Sequence, residues 1–379
     1  MAFRYPIKCR ICYANYEIVV KKIILLIFSL FIIFLLIEII LRFLPVSDAL
    51  NNQPVNEDDP IVHFIPYKSY HISIGPFFEL QVKKKTNNYG YFDDYDLIKS
   101  NNFGERVIII GDSFVEAIQV KNEDTVQGIL VKKYNGKHSF NAIGVRGASL
   151  SQYLEFAKFA KEKIDPTIYI FSIIPNDYDN SHIRYRTLEG FHYFDEKFDL
   201  IRIDHIPSLS KKILRKTALA RYLIRNLMVH GLFFKYKKLF FQKDREVNSN
   251  SKSDRKITVT STPENRTSLS YKVIDKFLNE VKLIAKDKPV IFYVEADRKK
   301  IYSGNEDWSK YHYLMNEYFI KKSKLMGFKT IDLKEVFEKD YKKNKIIHNS
   351  TVDDHWNEHG HMIVANELFT ILNESYIKN

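Results

Sequence analysis

Cysteine is almost missing from this chain of 379 residues: there are two, Cys9 and Cys12. Everything beyond them is barred from disulfide stabilisation and must bury a real core, for which a hydrophobic content of 45% is ample. A lone CxxC also lacks the second pair that a structural zinc site needs, so the two thiols read as inert groups of an N-terminal tail. No internal repeat is present, which excludes solenoids and propellers. A small-residue cleavage site is missing too. The run Ile23–Leu41, nineteen residues with Glu38 as its one charge, leads straight into Arg42-Phe-Leu-Pro45. A signal-peptide core is normally ~7–15 residues and ends in small residues. This run instead matches the ~30 Å hydrocarbon layer of a bilayer, so residues 23–44 are expected to be a retained transmembrane helix.

Basic residues are lacking after Arg42 until Lys68, whereas Arg4, Lys8, Arg10, Lys21 and Lys22 precede the run. The positive-inside rule then puts residues 1–22 in the cytoplasm as a basic tail and everything after the helix outside. Glu38 is expected to reach headgroups or water at the outer interface. The formal net charge is +12, of which the first 22 residues carry +4. A basic exported domain suits an anionic surface without naming a ligand. Nucleic acid is excluded as a partner of a domain delivered across a membrane.

Residues 45–103 read as a stalk and accessory segment. Ser47–Asp59 is polar, and His63–Asp96 is rich in aromatics punctuated by Gly and Pro. Residues 104–379 alternate between short β-branched runs and helical patterns. Strands are expected at Arg106–Ile110, Ser139–Ala142, Thr167–Ile174, Val290–Val294 and Phe328–Leu333. Helices are expected around Thr125–Tyr134, Leu150–Ile164, Ser268–Lys286, Trp308–Met326 and Asn357–Tyr376. Five strands with intervening helices imply an α/β fold, a parallel sheet with right-handed crossovers covered on both faces. Residues 181–267 interrupt the alternation as an insertion. It holds a hairpin at Tyr193–Ile203, a basic amphipathic stretch at Lys211–Arg245 and a polar loop at Val247–Asn265. That basic stretch reads as a solvated face over a local core, as a membrane-surface element, or as a grip on an acidic glycan.

In an open α/β sheet, ligands bind outside the carboxyl ends of the strands. The loops after strands one, two, three and five carry Ser113, Gly147, Asn176 and Val352-Asp-Asp-His-Trp-Asn-Glu-His-Gly-His361. A serine hydroxyl becomes nucleophilic when an imidazole takes its proton and a carboxylate orients that imidazole. Ser113, His355 and Asp353 supply those three groups. The Ser113 N–H, the Gly147 N–H and the Asn176 amide are candidate donors to an oxyanion. Two rival readings stand beside this one. Ser113-Phe-Val-Glu116 also spells a capping box, and His355-Trp-Asn-Glu-His359 spells the HxxEH of some zinc peptidases. Asn357 as N-cap would put His355 ahead of the helix, off the face of His359, so no metal and no organic cofactor is expected.

The set Gly111-Asp112-Ser113, Gly147, Asn176-Asp177 and Asp353-x-His355 resembles the four blocks of the SGNH/GDSL hydrolase family, over about Gly104–Asn180 and Val290–Asn379. The resemblance implies a three-layer flavodoxin-like fold and a serine esterase. Ser113 would be the nucleophile, His355 the base, Asp353 its orienter, and Ser113, Gly147 and Asn176 the oxyanion hole. Two departures stand out. Ile174 occupies a position where the family usually has glycine, and Asp-x-His replaces the commoner Asp-x-x-His, which makes Asp354 a second candidate orienter. The expected substrate is a short acyl ester, such as acetyl, on extracytoplasmic carbohydrate. Acyl transfer through the same groups, and a catalytically silent glycan-binding subunit, are the alternatives.

Overall fold

A computed structural model describes residues 7–99, 104–227, 229 and 263–377, with the side chains of 7–18, 263 and 264 outside that description. Most of the polar loop 247–265, the basic stretch beyond Leu227 and the side chains of Cys9 and Cys12 therefore lie outside the described residues. The first element is one uninterrupted helix, Ile7–Phe43. It continues through the basic residues expected to form a separate tail, since no Pro or Gly breaks the chain between Pro6 and Pro45. Its segment Val19–Phe43 is long and apolar enough to cross a membrane.

The segment expected to be a stalk does not stand free. Leu50 and Val55 are buried in the main core, and Val55 exchanges backbone hydrogen bonds with His205. Apolar positions spaced among the polar ones lay this stretch along the domain. It leads into an antiparallel hairpin, β1 (Ser69–Ile74) and β2 (Leu80–Lys85).

The centre is a five-stranded parallel sheet: β3 (Arg106–Gly111), β4 (Ser139–Gly144), β5 (Ile168–Ile173), and, after the short insertion hairpin β6 (His192–Phe194) and β7 (Leu200–Arg202), β8 (Val290–Val294) and β9 (Lys329–Asp332). The spatial order is β4-β3-β5-β8-β9, with all neighbours parallel. Counted within the sheet this is 2-1-3-4-5, the flavodoxin-like order, whose ligand crevice opens where the winding reverses. That switch point lies between β3 and β5, at the ends that carry Ser113 and Asn176.

Strand periodicity divides the core. Ile108 and Ile110 join one cluster with helices Leu150–Lys163, Pro263–Ala285 and Lys310–Leu325. Val107 and Ile109 join another with helices Val126–Lys133, Leu333–Asn344 and Glu358–Ser375. Both faces of the sheet are thus covered, and each fully buried Val or Ile contributes roughly 1.5–3 kcal/mol. Helix Leu333–Asn344 has no counterpart among the sequence expectations. Its run LKEVFEKDYKKN is mostly charged, but Leu333 and Phe337 fall four apart on the buried face, and Asp332 caps it by accepting from Lys334 N–H (2.9 Å).

Candidate active site

The serine follows β3 directly and opens a single helical turn, Ser113–Glu116. The capping-box reading is corrected by the side chains. Asp112 is the N-cap, accepting from Phe114 N–H (3.0 Å). Glu116 does not reach back to the helix start. It is buried and accepts from the Arg146 backbone N–H (2.5 Å) and guanidinium (2.7–3.2 Å). An unpaired buried carboxylate is costly, and Arg146 is the cation within reach. The pairing locks the turn after β3 to the loop after β4, immediately before Gly147. Gly144 permits the approach, because a Cβ there would stand 2.6 Å from the Glu116 backbone nitrogen.

The Ser113 hydroxyl therefore does not cap the turn; it lies 3.2 Å from Asp112 Oδ2 and is shared with the histidine. His355 Nε2 lies 2.8 Å from Ser113 Oγ, and on its far side Nδ1 lies 3.1 Å from Asp353 Oδ2. This second contact is bent rather than a straight hydrogen bond, and the Asp-x-His spacing explains it. Asp353 Oδ1 accepts the backbone N–H of His355 itself (3.0 Å), while Oδ2 also accepts the Gln119 amide (2.7 Å). Such contacts commonly tighten only when substrate binds. Asp354 faces away, its carbonyl accepting from Arg298 and its carboxylate from Asn349 (3.4 Å), so Asp353 is the carboxylate at the ring. Burial opposes protonation of His355, but the close contact and charge of Asp353, with Asp112 and Glu116 behind, win and hold its pKa above 6.5. Burial also resists ionisation of Asp353. The His355 and Gln119 contacts outweigh it, leaving that carboxyl below its ordinary range.

Gly147 has φ +85°, and a Cβ there would come within 3.1 Å of both the Arg186 guanidinium and Leu188. The left-handed backbone and the crowding both favour glycine. Asn176 is exposed, and among the described residues its side chain makes no hydrogen bond. The turn that carries it is fixed from below by Asp177, which accepts from Ile174 N–H (2.9 Å) and the Tyr153 hydroxyl (3.0 Å). Burial, reinforced by the charge of Asp112, pushes the Asp177 carboxyl well up. Ile174, where the family resemblance calls for glycine, closes the apolar side of a cavity of about 120 Å³ shared with Phe114, Trp308 and Arg298.

The HxxEH histidines do not converge. His355 serves Ser113, while His359 Nε2 (2.7 Å) and His348 Nε2 (2.8 Å) both meet Asp340 Oδ2. Asn344 occupies Asp340 Oδ1 (2.6 Å), and the Tyr302 hydroxyl meets His348 Nδ1 (2.8 Å). This hub ties both flanks of the loop that carries Asp353 and His355. Burial works against ionisation of Asp340, but its donors overcome it and lower its pKa. The stability it lends is complete above the ordinary value of 3.8 and drains away as pH falls toward the lower folded value. Asp340→Asn is expected to cost roughly 1–3 kcal/mol of unfolding free energy. Urea melts at pH 7 and pH 3 check this, because the penalty must shrink at the acid value.

Gln119, Arg146 and Asp340 escaped sequence reasoning, since each acts by a contact between distant segments. One further support was equally hidden. Lys84 of β2, buried and pushed down to about 7 by burial against several acid charges, donates to the Ala117 (2.7 Å) and Val120 (3.0 Å) carbonyls. It thereby braces the segment that presents Gln119 to Asp353.

No family model matches the chain, and no curated protein matches it. Among solved structures, a lipolytic G-D-S-L family member from Veillonella parvula is 14% identical, covering 73% of this chain and 100% of its own at a TM-score of 0.38. An acetyl xylan esterase is 11% identical over 70% of this chain and 99% of its own (TM-score 0.37). An alpha/beta hydrolase from the metagenome of Lake Arreo, Spain, is 12% identical over 71% and 94% (TM-score 0.38). Overlaps of this degree decide nothing about activity.

Proposed function

We propose that this chain is a membrane-anchored serine ester hydrolase of the SGNH/GDSL type, with its catalytic domain outside the cytoplasm. The observation that carries the reading is the continuous line Ser113 Oγ, His355, Asp353 at the crevice of the sheet. In the first half-reaction Ser113 Oγ attacks the acyl carbon, and its proton passes to His355 Nε2. The carbonyl electron pair moves onto oxygen, where the Ser113 N–H, the Gly147 N–H and the Asn176 amide stabilise it. Collapse re-forms the carbonyl and breaks the bond to the alcohol oxygen, which takes the proton back from Nε2. In the second half-reaction water gives its proton to His355 and attacks the acyl-enzyme. Ser113 leaves with that proton and the carboxylic acid is released. Asp353 keeps the Nδ1 proton facing itself and supports the imidazolium of each step.

Every group this sequence needs is a side chain or backbone donor, so the reading uses no cofactor. The acyl group is short and the alcohol is a hydroxylated, carbohydrate-like compound. Supporting this, the cavity beside Phe114 is small, about 120 Å³, and it is edged by Trp308, Asn349, Lys299 and several carboxylates. The anchor reading is supported by the apolar helix and by the basic residues on its N-terminal side.

The test is labelling of the full chain with a fluorophosphonate, which reacts with activated serines, alongside release of acid from a small acetyl ester. Labelling confined to Ser113 with catalytic release is expected. A wild-type protein that takes no label and releases no acid would overturn the proposal. Labelling with the acyl group recovered on an added sugar would convert it to a transferase.

A further inference from the structure

The apolar helix and the insertion meet at a carboxylate that has no part in the chemistry above. Glu38 stands five residues before the end of helix Ile7–Phe43. Its Oε1 accepts the Ala218 N–H (2.9 Å) and its Oε2 the Leu219 N–H (2.9 Å), with Arg42 alongside (2.9 Å). The expectation that Glu38 reaches outward to headgroups or water is thus corrected: it is buried as the cap of an insertion helix, Ala218–Arg221. Leu41 and Val46 close over Ala218, with Phe78, Leu219 and Tyr222 around them. The attachment continues into the body. Arg221 donates to the Ser47 carbonyl (3.0 Å) and Asp48 (3.3 Å), and Asn226 accepts from Ser47 N–H (3.3 Å) and donates to Ser73 Oγ (2.9 Å). The catalytic body is therefore bolted to the helix end rather than tethered to it.

Depth follows from this geometry. At 1.5 Å per residue, Glu38 lies about 7 Å below Phe43 along the axis. Whatever bonds to Glu38 shares its level. If Val19–Phe43 spans a bilayer, residues 218 and 219 sit at the membrane boundary, and the chain that leads into them runs beside it. Their side chains match that place. Ile206, Leu209 and Ile213 are 79, 73 and 58% exposed, an apolar display that water disfavours. Lys211, Lys212, Arg215 and Lys216 are interleaved with them, the composition of an element lying in an anionic headgroup layer.

We propose that residues 206–226 form a collar seated in the anionic bilayer surface around the outer end of the helix, fixing the catalytic domain on the membrane. This rests on the anchored reading given under Proposed function. The occupant is the lipid surface, favoured over a second copy of the chain by the basic charge and by continuity with the apolar helix.

The experiment uses the full chain in bilayer nanodiscs of mixed anionic and zwitterionic lipid, with Cys9 and Cys12 replaced by Ser and one fluorescent cysteine introduced at a time. Ile213→Cys probes the collar, and Phe43→Cys probes the span. Lipid carrying a nitroxide near the headgroup is expected to quench both at least threefold, while aqueous iodide quenches the residue 213 probe only weakly. Replacing Lys211, Lys212, Arg215 and Lys216 by Glu, or Glu38→Gln, is expected to restore at least half of the 213 emission and leave the 43 probe unchanged. Lipid quenching at 43 but not at 213 would overturn the collar and keep the span. Absence of quenching at both would sink the span, and the collar with it. Shielding at 213 from both lipid and iodide, with dimers in cross-linking, would mean that a second copy covers this face.

Discussion

Ser113→Ala is expected to lower turnover of an acyl ester by about 10⁶-fold, and His355→Ala by a similar factor, because groups that act as one unit fail together. The thermal midpoint of Ser113→Ala should stay close to wild type. That pairing of results is informative because the cap of this turn is Asp112, which serves Phe114 N–H, whereas the serine hydroxyl meets His355 Nε2 at 2.8 Å. Asp112→Ala should lose about 1 kcal/mol of stability through the lost cap, and it also removes the carboxylate 3.2 Å from Ser113 Oγ. Initial rates with a chromogenic acetate, paired with thermal melts, separate the two. A Ser113→Ala protein that keeps its rate and merely melts earlier would remove the nucleophile from the account.

Asp353→Asn is expected to lower turnover by about 10⁴-fold, through the wrong tautomer and a less stable imidazolium. Its pH signature is the sharper readout. His355 acts as a base only when neutral, and its pKa sits above 6.5. Wild-type rate should therefore rise with pH along a limb whose midpoint lies above 6.5. Burial pulls that pKa down, and Asp353 is the main counterweight, so removing the negative charge should move the midpoint to lower pH. Gln119→Leu should move it the other way by a smaller amount, since it frees Asp353 Oδ2 for the imidazole alone. A profile that is the same in all three proteins would place Asp353 outside the chemistry.

Much of this was legible because strand, turn and rim obey local rules. The β-branched runs that end at Gly111 and Ile173 announce two-sided burial, and the sheet rule sends the residues after them to one edge. That logic brings Ser113 and His355 within a hydrogen bond across 242 positions of sequence. Other features stayed hidden because local pattern also fits something else. Glu116 has the spacing of a capping box, and only the position of Arg146 shows where its carboxylate goes. His359 completes an HxxEH string, yet Asp340 on a helix too charged to be noticed claims it. Ser47–Asp59 is polar enough to read as a stalk, although a few apolar side chains among the polar ones are sufficient to lay it down. Lys84 could not be singled out at all, being one of three consecutive lysines.

The union of Glu116 with Arg146 has a consequence for how such a molecule can be altered. It makes the hydroxyl and the amides flanking Gly147 parts of one block, whose spacing is set from inside the sheet. The cavity wall of Lys299, Asp307 and Trp308 grows from a different stretch of chain, beyond β8. Under the proposed ester chemistry, preference for one ester over another is therefore expected to be rewritable on that wall while the block that carries Ser113 stays as it is.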